Sequence, residues 1–328
     1  MRELLLLLCQ YPFNETNRET LAKLIREVKD WNSMVKLINA HGIIALAACN
    51  IKEAGLEKEV PEDVMAILEN GYMQSVVRNA WLVERWKEVN SILYDAGIKH
   101  ILLKGMALEH TLYDARGLRQ MNDIDILIKC NESHKAWQLL QHNGFTIEPF
   151  KSSLFRNIKF DFGQHLPALY NNSFAVEIHD NLFDRKVKDD KSYYDPFSNV
   201  VEITIGDTKA FMLSKEIQMM YLKKHFEHHT LEGDCQLRLY TDILLLDKST
   251  TLEFPEKFIS DPMQGNKKEF RKASYKARIH SITAKHRLRF ILGDTFPSLK
   301  WMKARYKCNW IKALLMYPLR IGKLRWLI

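Results

Sequence analysis

Two short runs decide how this chain is read: Leu102-Leu103-Lys104-Gly105, and Arg119-Gln120-Met121-Asn122-Asp123-Ile124-Asp125-Ile126-Leu127-Ile128. Ile101-Leu102-Leu103 is a short apolar run stopped by Lys104-Gly105 and fits a buried strand. Residues 106–114 have a helical pattern, and 114–122 read as a loop. Ile124 to Ile128 form a second strand around Asp125. Residues i and i+2 of a strand share a face, so Asp123 and Asp125 point together while Ile124 points into the core. Paired carboxylates among apolar residues cost repulsion and desolvation. A divalent cation removes that cost. Magnesium (or manganese) takes oxygen ligands from one or two carboxylates and completes its shell with substrate phosphates. Val176-Glu177-Ile178-His179 sets a third acid on another strand-like segment. If that strand lies beside the first, Glu177 joins the pair, and three carboxylates can hold metals on a triphosphate.

Outward from this centre the pattern changes twice. Residues 1–97 read as a helical region. Leu21, Leu24, Ile25 and Val28 recur at helical spacing, and Pro61-Glu62-Asp63 opens a long helix that runs to Gly97. Residues 98–213 read as an α/β core. Within it a helix capped by Asn131 or Ser133 runs to His142. Strands follow at 145–147, 174–178, 200–205 and 209–213, the last two joined by a Gly206-Asp207 hairpin. Residues 214–328 read as helical again, with breaks near Pro297 and Pro318. The fold class expected is therefore α+β: a mixed sheet between helical N-terminal and C-terminal regions.

Composition narrows the function classes. No stretch of roughly 18 uncharged apolar residues exists, so no transmembrane segment is expected. Met1 to Cys9 is too short an apolar run for a signal peptide and reads as a buried first helix. The five cysteines are scattered and never form C-x-x-C, which argues for a reducing, cytoplasmic setting. Residues 265–328 carry 17 Lys/Arg and two acids, a net +15, whereas the remainder carries −7. The chain is a mildly acidic body with a basic tail, and the tail can seek an anionic partner.

The ordered set Leu102-Leu103-Lys104-Gly105, Tyr113, Arg119, Asp123-Ile124-Asp125, Glu177-Ile178-His179, His225, His229, Leu237-Arg238 and Asp242 resembles an uncharacterised bacterial nucleotidyltransferase family. That family belongs to the DNA polymerase beta type nucleotidyltransferase superfamily. The resemblance implies a nucleotidyltransferase-type mixed sheet holding the carboxylates. It also implies transfer of a nucleoside monophosphate from NTP to an acceptor hydroxyl, with pyrophosphate leaving. Asp123, Asp125 and Glu177 are the expected catalytic and metal-binding residues. Lys104, Gly105 and Arg119 are the expected nucleotide contacts. The superfamily usually carries Gly-Ser or Gly-Gly where this chain has Lys104-Gly105-Met106. Gly105 still permits close backbone approach, and Lys104 or Arg119 can supply positive charge to phosphates. For Arg119 the other reading is a salt bridge to Asp123 or Asp125.

His179, His225, His229 and Asp242 are expected around the substrate. His225 and His229 share a helix face at the i, i+4 spacing that zinc sites also use, but no H-E-x-x-H pattern accompanies them. Asp242 can orient one of these histidines or Arg238, or form a helix-to-helix ion pair. In the tail, Trp301, Tyr306, Trp310, Tyr317 and Trp326 alternate with Lys/Arg. This suits helices with solvated charges, then an anionic membrane surface at the inner face, then RNA. Two further functions stay open: a binding module of the same fold without turnover, and a tRNA-modifying or toxin-like nucleotidyltransferase.

Overall fold

A computed structural model describes residues 1–163, 165–171, 173–182 and 195–324. Trp326, one of the tail aromatics, lies outside the described residues. The strands are β1 (His100–Leu102), β2 (Asp123–Ile128), β3 (Thr146–Ile147), β4 (Leu169–Asn171), β5 (Phe174–His179), β6 (Val200–Ile205) and β7 (Thr208–Leu213). They form one sheet in the order β3-β4-β5-β2-β1-β7-β6. β1 runs parallel to β7 with Leu102 opposite Met212. β6–β7, β3–β4 and β4–β5 are antiparallel, so the sheet is mixed. Helices precede and follow it along the chain, as the α+β reading expects.

The chain packs as two compact units, residues 1–91, 101–125 and 194–265, and residues 92–100, 126–193 and 266–328. The boundary falls inside β1 and inside β2, so those strands belong to both.

The first unit is built on helices. Arg2–Leu8 buries Leu4, Leu5, Leu7 and Leu8. Ile44–Glu53 buries seven of its ten residues, among them Ile44, Leu46 and Ile51. The helix Glu62–Asp95 has two acids in its first turn, where the helix dipole favours negative charge. It stops before Gly97, whose φ of 69° is left-handed and suits glycine. The β6–β7 hairpin turns through Gly206, at φ 63°, and Asp207. The helices Lys215–Glu232 and Leu237–Leu246 complete this unit. No single helix among the described residues is long and apolar enough to cross a membrane. One bent pair, Trp31–Ala40 with Ile44–Glu53, has the length and composition, but its two parts meet at 119°.

The second unit holds β3, β4, β5 and the helix Cys130–His142, together with the C-terminal helices Lys268–Ser281, Ala284–Thr295, Leu299–Tyr306 and Trp310–Leu324. Ile158, Tyr275, Ile282 and Phe290 form one of its cores, with Phe155, Ile279 and Ile291 against it.

Three local expectations need correction. The helix expected to be capped by Asn131 or Ser133 begins at Cys130, and its N-cap is Lys129 with no side-chain cap. Pro318 does not break the last helix, which continues to Leu324. Proline removes one backbone donor, but Pro318 stands on the exposed side, where water can serve the carbonyl left open. The helix Ser153–Phe162 and strand β4 occupy a stretch with no sequence assignment. Its available signal was Ser152, whose Oγ accepts the Phe155 amide at 3.1 Å as an N-cap would.

Candidate active site

The first element of the site is the turn from β1 into the helix Lys104–Leu112. Lys104 adopts φ 46°, a left-handed conformation that costs a non-glycine residue about 1–3 kcal/mol. The turn brings the Lys104 ammonium to the neighbouring strand, where Nζ donates to Asp125 Oδ1 at 2.8 Å. The two strands are locked there by the Leu103 amide donating to the Asp125 carbonyl at 3.0 Å. The Asp125 side chain is 4% exposed and that of Lys104 13%. A carboxylate offers two oxygens with about four lone-pair sites, so the Lys104 contact at Oδ1 does not by itself exhaust it.

Gly105 follows. A Cβ built there would lie 2.8 Å from Arg119 Nη1 and 3.1 Å from Met121 Cγ. The missing side chain therefore makes room for Arg119 and Met121. Arg119 itself is locked elsewhere. Its Nε and Nη2 donate to the Asp242 carboxylate at 2.8–3.0 Å, and Tyr113 Oη donates to Asp242 Oδ1 at 3.0 Å. Burial pulls the Arg119 pKa down, but the charge and hydrogen bonds of Asp242 outweigh it and leave the guanidinium raised. Burial, followed by the Asp242 charge, also drives the Tyr113 hydroxyl well above its ordinary range, so it stays a donor. The ion pair of Arg119 is thus with Asp242, not with Asp123 or Asp125. Asp242 correspondingly orients Arg119 and Tyr113, in place of a histidine or Arg238.

On the other side of β2 lies β5. Its Glu177 Oε2 stands 3.8 Å from His179 Nε2 and 3.9 Å from His165 Nε2. The rings of His165 and His179 are 5.5 Å apart, and the two residues form an antiparallel bridge. His165 Nδ1 is 2.7 Å from the Leu166 carbonyl, a contact it makes as a donor, which leaves Nε2 toward Glu177. Sequence reading missed His165, because no local spacing ties it to a carboxylate twelve positions further on.

Within the second unit, Glu177 and His179 on β5 set a carboxylate beside an imidazole, and Asp125 on β2 belongs to the first unit. Two ligands on opposite sides of a small divalent ion stand about 4.2 Å apart, and Glu177 Oε2 and His179 Nε2 stand 3.8 Å apart. Two carboxylates and an imidazole are donors that such ions accept. Asp123 lies at the start of β2, partly exposed, and its charge acts on Arg119 and Arg238.

The histidine cluster stands apart in character. His225 and His229 lie on Lys215–Glu232 with ring centroids 4.3 Å apart. His229 Nδ1 is 3.5 Å from Asp234 Oδ2, and Tyr221 stacks against His225. Among the described residues they do not join a metal-gathering group with Cys235.

No curated protein matches this chain. Among solved structures, a lincomycin-bound lincosamide antibiotic adenylyltransferase, LnuA, is 19% identical over 51% of this chain and 97% of its own, with a TM-score of 0.36. The pattern of the family described as uncharacterised nucleotidyltransferase matches residues 27–261, well over half of the chain, and the chain belongs to that family.

Proposed function

We propose that the protein is a metal-dependent nucleotidyltransferase that moves a nucleoside monophosphate from an NTP to an acceptor hydroxyl. The observation carrying this reading is the match of the uncharacterised nucleotidyltransferase family to residues 27–261, supported by the Lys104–Asp125 pair of the first unit and by Glu177 beside His179 in the second. Asp125 and Glu177 would hold the divalent ion, with His179 as a nitrogen donor and Asp123 as a further carboxylate on the same face of β2. Magnesium fits the carboxylates, and the imidazole adds preference for manganese. When bound, such an ion supplies charge neutralisation and polarises phosphoryl oxygens.

The chain's own groups do the positioning. Lys104 stands at a helix N-terminus, where backbone N–H groups and the dipole favour phosphate. Its ammonium would be within reach of a phosphate oxygen seated at that turn. The Arg119–Asp242–Tyr113 cluster fixes the loop that leads into β2, and Gly105 lets that cluster pack against the turn. The acceptor oxygen then bonds to the α-phosphorus while its hydroxyl proton passes to solvent, and the bond from that phosphorus to the bridging oxygen breaks to release pyrophosphate.

The test uses each labelled NTP with magnesium or manganese and a cell extract as acceptor source. Wild type should transfer label, and Asp125→Asn should lose transfer by at least about a thousandfold with its circular dichroism unchanged. Retained transfer by Asp125→Asn overturns the assignment. Nucleotide binding without pyrophosphate release, across many acceptors, would point to a binding module of this fold.

A further inference from the structure

The last helix, Trp310–Leu324, turns its apolar side to solvent. Trp310, Ile311, Leu314, Leu315 and Leu319 are each 49–70% exposed. Pro318 and Gly322 are exposed as well, while Ala313 is fully buried. At 3.6 residues per turn these exposed positions fill one continuous arc of about half the helix circumference, and Ala313 lies opposite. An ordinary surface helix has the reverse arrangement. The helix Ala284–Thr295 and the residue after it carry a second exposed row, Leu288, Leu292 and Phe296.

Along the chain, the charge that follows Asp294 has one sign. Asp294 is the last acid in the chain, and eight Lys/Arg follow it. Asp294 is buried and held by Lys151 at 2.5 Å and Arg320 at 3.2 Å, so it offers no neutralising charge outside. Lys300, Lys303, Arg305, Lys307 and Lys312 are all exposed.

We propose that this face of the second unit binds an anionic lipid surface, with the last helix lying in the plane of the interface. An exposed aliphatic arc headed by a tryptophan and bordered by lysines is the composition such helices use. Basic residues beside it add attraction to anionic headgroups. A single-stranded nucleic acid would be served by stacked aromatics, but this arc holds one aromatic among aliphatic residues. A second copy of the chain would bring the same excess of positive charge against itself.

The experiment is flotation of the full chain with phosphatidylcholine vesicles, with and without phosphatidylglycerol, at low and high salt. Binding should require phosphatidylglycerol and weaken with salt. The variant Leu315→Glu/Leu319→Glu, altered at two solvent-exposed positions and checked by its unfolding midpoint, should bind at least about tenfold more weakly. Three results overturn the proposal: no flotation with anionic vesicles, flotation unchanged in the double variant, or vesicle-free self-association that the double variant abolishes. Salt-sensitive RNA retention together with absent vesicle binding would assign the face to nucleic acid instead.

Discussion

Arg119 and Asp242, 123 positions apart, meet in a fully enclosed ion pair in which the guanidinium donates to both carboxylate oxygens at 2.8–3.0 Å. Tyr113 closes the group from a third direction. Removing one partner leaves the other as an uncompensated buried charge. Asp242→Ala should therefore lose about 3–5 kcal/mol in urea unfolding. Arg119→Met/Asp242→Leu should lose much less than the two single changes combined, and a double-mutant cycle reads the coupling. Additive losses would contradict the pairing.

Lys104 supplies a positive charge to Asp125 at 2.8 Å. Lys104→Met should lower metal-free stability by about 1–3 kcal/mol, because a buried acceptor loses its donor. Manganese should restore much of that loss, since the ion takes the same role. Calorimetry should find metal binding unchanged or tighter in this variant and nucleotide binding weaker. Equal weakening of both would place Lys104 in the fold alone.

Metal should stabilise the wild-type chain. At a hundred times its dissociation constant, a ligand specific for the folded state adds about 2.7 kcal/mol. The thermal shift with manganese should vanish in Asp125→Asn and shrink in His179→Ala. His165→Ala, which removes a ring 3.9 Å from Glu177, should have the smaller effect.

Burial holds the His100 imidazole at about 4, below its ordinary 6.5. The unfolded chain therefore protonates first as pH falls. The associated stability is complete above pH 6.5, declines between 6.5 and 4, and levels off below. Since the side chain is only partly enclosed, the loss should stay under about 3 kcal/mol. His100→Gln should flatten the urea midpoint over that window relative to wild type. An unchanged slope would show that other groups govern it.

Gly105→Ala tests the packing of the turn. Its added carbon would meet Arg119 Nη1 at 2.8 Å, and overpacking of this kind costs about 1–3 kcal/mol. Arg119 is pinned to Asp242 and cannot swing away freely. The loss should fall when Arg119→Met is combined with it.

Local order in the chain determined most of the strands and helices. The apolar run at 101–103, the glycines at 97 and 206, and the alternation at 124–128 have their effect within a few residues, so their strands and turns were legible. So was the shared side of Asp123 and Asp125, because the pleat alone sets it. What local order could not carry was partnership. Whether Asp242 meets a histidine or Arg119, and whether Lys104 reaches Asp125, depend on contacts between segments far apart in the chain. His165 beside Glu177 is of the same kind. Pro318 shows the limit from the other direction: its rule is local, but exposure of that side of the helix, a tertiary property, lets the helix continue. The carboxylates were written in the sequence, and the cations, imidazoles and hydroxyls that face them were chosen by the packing of the strands and helices that bring distant residues together.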